Sequence, residues 1–344
     1  MDAQSATLAA LTAASMAAAC CHRRSGRHGP ATGPDNGGEL PPESTEALSF
    51  VDYQPNRYQE LLTANSSRVV QNFRDAGLLP QSVQCEVHAS IPSHYRLRCG
   101  FGIYDPERAD EWRLPCAEAL QDRKLRYVYW DNGSLVPVEG NRFPIASRTI
   151  YDHMPAVLER LDSEPSLRAD IRAAKFHSTM NGELLITLVY KQRSLLEPAP
   201  PGSGGTWREC AAALSEMLSG AKCNCVGVIG RSKGVKECVG QDWVVERGIV
   251  LSSEAVAATS GSSSSPTSGG GGGGNEGGKP RPLIYRHPEQ AFSNPNGGMA
   301  IHTLNWLCSC TSTIRTLRQQ AEPDLGAVDL LELCLPTPAN NPLC

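Results

Sequence analysis

Apolar residues recur at helical spacing in four stretches of the chain. These predicted helices cover residues 53–75, 147–161 and 207–218, and a fourth helix begins near Pro295. The stripe of the fourth helix that we expect to face the core consists of Met299, Thr303, Trp306, Cys310, Ile314 and Leu317.

Alternating or continuous apolar runs predict strands between these helices. The predicted strands cover residues 83–87, 94–101, 126–130, 134–138, 175–179, 184–190, 226–230, 244–251 and 282–286. Asn132-Gly133 and Asn181-Gly182 predict tight hairpin turns because such pairs readily adopt positive φ. Hairpins mixed with helices favour an α+β domain.

Residues 327–333 form an apolar run that ends in Glu332-Leu333, which is typical of a buried parallel strand. In a doubly wound α/β domain a glycine-rich turn and a helix follow such a strand. Here Cys334-Leu335-Pro336 follows, and proline disfavours a helix. A parallel crossover needs about a dozen residues. We therefore expect only the first elements of an α/β domain in this chain.

Composition divides the 344 residues into segments that can pack and segments that cannot. The Ser and Gly runs of residues 256–280 predict a low-complexity insert. Residues 1–33 are rich in Ala, Ser and Arg and poor in acids, which is typical of a transit peptide for a chloroplast or mitochondrion. A non-targeting tail on a cytoplasmic protein is the alternative, and residues 34–52 are predicted to be a linker.

Charge and cysteine content exclude several classes of function. The net charge of −4 gives no overall nucleic-acid signature, so any RNA binding must come from a local patch. There is no apolar run of about 18 residues, which argues against a transmembrane helix. The 13 cysteines include no Cys-x-x-Cys pair, so we expect no metal site.

Seven short strings occur in one order along the chain. They are Pro-Ser-His-Tyr-Arg-Leu-Arg (92–98), Asn-Arg-Phe-Pro-Ile-Ala-Ser (141–147), Leu-Val-Tyr-Lys (188–191), Val-Ile-Gly-Arg-Ser-Lys-Gly (228–234), Leu-Ile-Tyr-Arg (283–286), Phe-Ser-Asn-Pro-Asn (292–296) and Asp-Leu-Leu-Glu-Leu (329–333). With these strings, residues 53–334 resemble the tRNA (uracil-5-)-methyltransferase family of the bacterial type.

The resemblance implies an α+β RNA-binding region over 53–255, followed from residue 281 to 334 by the start of a methyltransferase domain that uses S-adenosylmethionine. It also implies a reaction in which a cysteine thiolate attacks C6 of a flipped-out T-loop uridine and C5 is methylated. The family's Asp-Pro-Pro-Arg and Ser-Cys-Asn-Pro strings do not occur here, so we expect no catalytic residue in this chain. Residues 335–344 diverge from the family, which predicts a truncated gene product, with a genuine shorter protein as the alternative.

The candidate RNA-binding residues are basic side chains within the matching strings. If residues 94–101 form a strand, His94, Arg96 and Arg98 share one face, with the guanidiniums about 7 Å apart. That spacing suits successive phosphates, although a solvated outer face fits the same pattern. Lys191 follows a strand, and Arg231 and Lys233 occupy a turn that Gly230 and Gly234 open to a ligand. The alternative for Lys191, Arg231 and Lys233 is that each is a solvated surface charge without an RNA contact.

The candidate cofactor-binding residues are Asn294 and Glu332. By resemblance, Asn294 aligns with a family glutamine that touches the methyl donor. The structural alternative is that Ser293 or Asn294 caps a helix that begins at Pro295. Glu332 lies at the end of the predicted strand, where the family places its donor.

Three hypotheses about function follow, the third of which is an unstable fragment with no activity. In the first, the chain is a tRNA (uracil-5-)-methyltransferase family protein, acting as a monomer, that binds tRNA but does not methylate it alone. In the second, it is a non-catalytic tRNA-binding or tRNA-folding module whose basic residues contact phosphates. The first hypothesis accounts for the order of the seven strings.

Overall fold

The computed structural model describes residues 53–111, 124–131, 134–191, 195, 198–221, 223–250 and 282–321. Residue contacts divide the chain into two units, Met1–Ala89 and Ser90–Cys344. The predicted targeting segment, linker, insert, 327–333 strand and divergent tail lie outside the described residues. The predicted domain boundaries at 52/53, 255/256, 280/281 and 334/335 therefore stay predictions.

The first unit contains one long helix, α1 (Tyr58–Asp75), which follows a short 3-10 turn at Pro55–Arg57. No residue of α1 is buried within the protein. The strand predicted over residues 83–87 is wrong, because this segment has no regular secondary structure. Alternation of apolar and polar residues makes a strand only where another strand pairs with it.

The second unit contains most of the secondary structure. Its strands are β1 (Arg98–Tyr104), β2 (Arg126–Asp131), β3 (Ser134–Pro137), β4 (Ile171–Ser178), β5 (Glu183–Tyr190), β6 (Asn224–Ser232), β7 (Val235–Gly240), β8 (Trp243–Ile249) and β9 (Leu283–Pro288). Its helices are α2 (Arg148–Ser163), α3 (Pro165–Arg168), α4 (Trp207–Leu218) and α5 (Gly297–Ala321), and there are 3-10 turns at Pro106–Glu111 and Glu139–Asn141.

Strands β1 to β7 form one seven-stranded sheet in the order β3-β2-β1-β4-β5-β6-β7. Every neighbouring pair is antiparallel except β5 and β6, which are parallel. Helix α4 lies in the connection between these two strands, as a parallel crossover requires. The two predicted hairpins, β2–β3 and β4–β5, are confirmed, as is the α+β class of the domain.

One face of the sheet packs against α2, α3 and α4 and forms the main core. Its aromatic centre brings Phe101, Tyr127 and Phe176 together, with ring centroids 5.5 to 6.3 Å apart. The hydroxyl of buried Tyr127 donates to the carbonyl oxygen of Met154 at 2.9 Å, so its polar group is satisfied inside the core.

Both predicted helices on this face are confirmed, and each has a side-chain cap. Ser147 Oγ accepts from the amide of Ile150 at the start of α2. Thr206 and Glu209 form a reciprocal capping box at the start of α4. Such caps satisfy amides that have no partner within the helix.

The opposite face of the sheet is covered in part by the antiparallel pair β8–β9. Leu185, Ile229 and Val244 form a small apolar cluster beneath it. This cluster joins β5, β6 and β8. Lys175, His177 and Thr187 lie on the same face, which we call the polar face, since they line one cavity together with Leu185.

Strands β6 and β7 end in close backbone contact at Gly227 and Gly240, which face each other in register. A Cβ atom at Gly227 would overlap the backbone of Gln241, and one at Gly240 would overlap the backbone of Val226. Gly240 also has a φ of 78°. Only glycine fits both positions.

Several predicted element boundaries are wrong. Helix α1 begins at Tyr58 rather than residue 53, and strand β4 begins at Ile171 rather than residue 175. Strand β1 begins at Arg98 rather than residue 94, because His94 has a φ of 55° that interrupts an extended chain. Helix α5 begins at Gly297 rather than Pro295, and its cap is Asn296, whose Oδ1 accepts from the amide of Met299 at 3.1 Å.

The predicted inner stripe of α5 is confirmed only in part. Met299, Trp306 and Cys310 are half-buried, whereas Thr303 is exposed. The side chains of Ile314 and Leu317 lie outside the described residues. Among the described helices, none is long and apolar enough to cross a membrane, and no group of three or more potential metal ligands occurs in the described ranges.

Candidate nucleic-acid interface

The predicted RNA-binding residues separate into two groups along the sheet. Arg98 is paired with His177 at one end of the β1–β4 ladder, and Ile171 at the other end of β4 is paired with Tyr190. Six residues of strand separate these ends by about 20 Å. Lys191 follows Tyr190, and Lys233 follows the parallel strand β6, so both lie at the end of the sheet away from Arg98.

His94 and Arg96 lie in the segment that precedes β1. Nδ1 of His94 lies 3.0 Å from the carbonyl oxygen of Ala146, and its ring contacts Tyr151 edge-on at 4.9 Å. The amide of Arg96 donates to Ile145 and its Nε donates to the carbonyl oxygen of Arg98. The predicted row of three basic residues on one strand face is therefore wrong, although each residue stays a candidate RNA contact.

Arg98 extends from β1 toward the segment that follows β9. Its Nη1 donates to the carbonyl oxygen of Ala291 and to Ser293 Oγ, the latter at 3.2 Å. Burial, with the nearby charge of Arg96, lowers the pKa of this guanidinium. Arg98 thus positions residues 291–293 and is a half-buried cation whose described hydrogen-bond acceptors are neutral.

Arg231 is paired within the protein. Its Nε and Nη2 donate to the two oxygens of Glu289 at 2.7 and 2.6 Å, and Lys236 Nζ lies 3.5 Å from the same carboxylate. Burial of Glu289 opposes its ionisation, but the hydrogen bond and charge of Arg231 outweigh this, so the pKa of Glu289 is lowered. Arg231 holds Glu289 in place, a role that local sequence does not reveal.

Lys191 and Lys233 are exposed at the far end of the sheet. The amide of Lys191 donates to the carbonyl oxygen of Asp170, which fixes the backbone where β5 ends. Lys233 occupies the turn between β6 and β7 beside Gly234, which has a φ of 74°. Of the predicted basic residues, these two are the most accessible to a large ligand.

A cavity of about 460 Å³ opens on the polar face of the sheet beside the end of β9. The residues that give it chemical character are Arg98, Lys175, His177, Thr187, Glu289 and Gln290. We did not predict this cavity from the sequence. The spacing of Lys175 and His177, two residues apart on β4, is the signal that they share a face.

His177 is buried beside this cavity. Burial, with the charge of Arg98 and the nearby ring of His287, lowers the pKa of His177 to about 3. The two histidine rings lie 5.8 Å apart, and Nδ1 of His177 has no hydrogen-bond partner in the described structure. His177 is therefore a neutral side chain at physiological pH.

The described cysteines with a shifted pKa all resist ionisation. Burial raises the pKa of Cys99 and that of Cys223 to about 12. It also raises the pKa of Cys238. Because a thiolate is the nucleophilic form, these residues are poor nucleophiles.

The candidate cofactor residues do not form a donor site in the described residues. Asn294 is exposed, and its Oδ1 accepts from the amide of Asn296 at 3.0 Å. Neither described cavity is lined by Asn294. Glu332 lies outside the described residues. The residues present therefore do not fit S-adenosylmethionine by themselves.

These features define a class: a mixed α+β protein whose sheet packs apolar residues under its helices and has, on the other face, a cavity lined in part by charged side chains. A family model described as tRNA (Uracil-5-)-methyltransferase matches residues 57–259, which is more than half of the chain. The chain belongs to the tRNA (uracil-5-)-methyltransferase family.

Individual relatives agree with this assignment. The chain is 26% identical over 264 residues to a tRNA/tmRNA (uracil-C(5))-methyltransferase of Vibrio vulnificus, covering 77% of this chain and 56% of the relative. It is 28% identical to proteins of the same name from Vibrio parahaemolyticus, over 265 residues, and Dechloromonas aromatica, over 262 residues, with 77% and 76% of this chain and 56% and 55% of the relatives covered. The chain thus spans little more than half the length of these relatives.

Proposed function

We propose that this chain supplies the tRNA-docking part of an enzyme that methylates C5 of a T-loop uridine. The observation that carries the proposal is the family match over residues 57–259, which spans the whole seven-stranded sheet. The relatives carry tRNA and tmRNA in their names, which supports an RNA ligand. S-adenosylmethionine would supply the methyl group, and we assign no step to the described residues in its transfer.

RNA docking in this proposal depends on local charge, because the chain as a whole has a net charge of −4. Lys191 and Lys233 are exposed at one end of the sheet, where a polyanion can reach both. Arg98, with His94 and Arg96 close to it in sequence, forms a second basic region at the other end. An RNA that spans both regions would be oriented along the strands.

The test of RNA binding is fluorescence anisotropy with the purified 344-residue chain and an unmodified tRNA transcript. Affinity should fall by orders of magnitude between about 50 and 200 mM salt if several phosphates are contacted. A double variant, Lys191→Gln with Lys233→Gln, should lower both the affinity and the salt dependence. Affinity that does not change with salt would contradict the proposal.

The test of catalysis is methyl transfer from radiolabelled S-adenosylmethionine to the same tRNA. We expect binding without transfer, because the Asp-Pro-Pro-Arg and Ser-Cys-Asn-Pro strings are absent from this sequence. Label in the T-loop would contradict this part of the proposal. A full-length bacterial relative in the same assay shows that the tRNA is a competent substrate.

Two further properties belong to the proposal. We expect a monomer, which light scattering on the purified chain tests directly. We also expect residues 1–33 to direct a fused fluorescent protein to a chloroplast or mitochondrion, and a cytoplasmic signal from this fusion would favour the alternative.

A further inference from the structure

The cavity on the polar face has two cations for which the described residues supply no acidic partner. Arg98 and Lys175 both line it, and they come from neighbouring strands, with Arg98 on β1 and Lys175 on β4. Within the described part of the chain, no ion pair joins either side chain to a carboxylate. The other basic side chains on this side of the sheet differ, since Arg231 and Lys236 are both paired with Glu289.

Of the two cations, Arg98 gives the stronger argument for a bound anion. Its described hydrogen-bond acceptors, Ala291 and Ser293, are both neutral, and its guanidinium is partly removed from water. A half-buried cation without a counter-ion costs free energy, and a bound anion would recover it. A guanidinium also presents several donors in a fork that suits phosphate oxygens.

The carboxylate of Glu289, which also lines the cavity, does not cancel the charges of Arg98 and Lys175. Its Oε1 accepts from Arg231 Nε and from Thr187 Oγ1, and its Oε2 accepts from Arg231 Nη2. Lys236 adds a second cation 3.5 Å away. The carboxylate is therefore neutralised by its own partners, and the cavity keeps a net positive charge.

His177 completes the lining with a polar group that carries no charge. It is 8% exposed, and its Nδ1 has no hydrogen-bond partner in the described structure. A neutral imidazole has one donor and one acceptor nitrogen, so it can donate one hydrogen bond to an oxygen ligand. Buried polar groups of this kind normally have a partner, which a ligand would supply.

We propose that the cavity bounded by Arg98, Lys175 and His177 binds one phosphodiester group of an RNA backbone. The proposal rests on the proposed function, which supplies the RNA. Two cations and one neutral donor offer hydrogen bonds to the acceptor oxygens of a phosphodiester, and the two cations more than offset its single negative charge. The cavity is open to the surface, so a group that belongs to a longer chain can reach it.

The test compares Lys175→Gln with Lys124→Gln, a control of the same charge change. Lys124 lines the other described cavity, between the start of β2 and α2, and is exposed like Lys175. In tRNA anisotropy titrations, Lys175→Gln should weaken binding about 3- to 10-fold and lower the salt slope by about one. Lys124→Gln should bind as the unaltered chain does, and Lys175→Arg should restore the affinity.

The outcomes separate the two proposals. If Lys175→Gln binds like the unaltered chain while Lys191→Gln and Lys233→Gln weaken binding, the cavity proposal is overturned and the proposed function stands. If the unaltered chain shows no salt-dependent tRNA affinity, the proposed function fails first and the cavity proposal fails with it. Thermal unfolding of each variant checks that the fold is unchanged.

A second measurement identifies the source of the phosphate. Acetylation of Lys175 by an amine reagent, followed by mass spectrometry, should be slowed by tRNA and not by inorganic phosphate at the same phosphate concentration. Protection by inorganic phosphate alone would overturn the assignment to an RNA backbone. Acetylation of Lys124, measured in the same samples, shows whether the tRNA or the phosphate has lowered the concentration of the reagent itself.

Discussion

The two faces of the seven-stranded sheet use the same strands in opposite ways. On the face covered by α2, α3 and α4, residues such as Phe176 and Ile186 are fully buried in one apolar cluster. On the other face, their neighbours Lys175 and Thr187 line a cavity that also contains Arg98 and Glu289. Because successive side chains point to opposite faces of a strand, the same seven strands can present an apolar face to the helices and charged side chains on the other face.

The difference shows where this fold is free to carry chemistry. Burial of apolar side chains is the main source of stability, so the helix-covered face is constrained by packing. The polar face is held by a smaller cluster of three buried residues and by ion pairs around Glu289. Charged groups on that face can therefore serve a ligand without being required for the main core.

Truncation on the helix-covered face should cause the largest loss of stability. Phe176 is 2% exposed and its ring lies 6.0 Å from that of Tyr127. Phe176→Ala should lower the free energy of unfolding by about 3–5 kcal/mol, because it leaves a cavity in the core. Denaturant titration followed by tryptophan fluorescence measures this.

The control for this prediction is Ile284→Ala on β9, where the side chain is 63% exposed. Its effect should stay within about 0.5 kcal/mol. Equal losses in the two variants would contradict the difference in burial between Phe176 and Ile284.

Removal of the charge on Glu289 should cause a smaller loss. Glu289→Gln keeps the size of the side chain but leaves Arg231 without its carboxylate partner and leaves Lys236 paired with Asp242 alone. We expect the free energy of unfolding to fall by about 1–3 kcal/mol, less than for a fully buried pair because both cations are about a third exposed. The matched control is Glu237→Gln, whose partner Arg208 is exposed, with an effect below about 1 kcal/mol.

The same variant has a defined pH dependence. The pKa of Glu289 is lowered from its ordinary value of 4.5 in the folded protein. Its contribution to stability is therefore present above pH 4.5 and is lost as the pH falls through the folded-state pKa. Glu289→Gln should lack this component of acid sensitivity. Parallel stability–pH curves for the two proteins would contradict it.

The smallest effect should come from His177 and should appear only on acidification. The unfolded chain binds a proton near pH 6.5, whereas His177 in the folded protein stays neutral down to a pKa of about 3. Stability should therefore fall as the pH drops from about 6.5 toward 3. His177→Gln should reduce the loss between pH 7 and pH 5 by about 1–2 kcal/mol. Chemical denaturation at the two pH values tests this, and an unchanged difference would refute it.

The regular elements of the sheet were predictable because their signals are local. Asn181-Gly182 predicts the β4–β5 hairpin, and Gly182 indeed has a φ of 88°. The range 207–218 predicted for α4 matches the observed helix, which a capping box opens. Where local signals and tertiary packing agree, sequence patterns are sufficient.

What local sequence did not reveal depends on distant residues. Residues 83–87 alternate as a strand would, but no described strand pairs with them. The RNA contact of Arg231 stays a prediction, but its string does not show that Glu289, 58 residues away, holds its guanidinium. Similarly, Arg98 is bonded to Ser293, 195 residues away. A short string contains no information about such partners.

The cavity on the polar face could not be predicted for the same reason. Lys175 and His177 lie on β4, whereas Glu289 follows β9 more than a hundred residues later. The antiparallel pairing of β8 with β9, the packing of Val244 on Leu185 and the hydrogen bond from Thr187 to Glu289 bring these segments together. The sequence identified the family, and the structure identified this group of side chains.

The contact between Gly227 and Gly240 has a consequence for inherited variation. Any single-base change that replaces either glycine adds a side chain where two backbones touch, so it would force the β6–β7 edge apart. Such alleles should behave as loss of protein rather than loss of RNA recognition, because the change disrupts the sheet and not one of the candidate RNA contacts. A deep mutational scan should therefore find both positions intolerant to every substitution, alanine included.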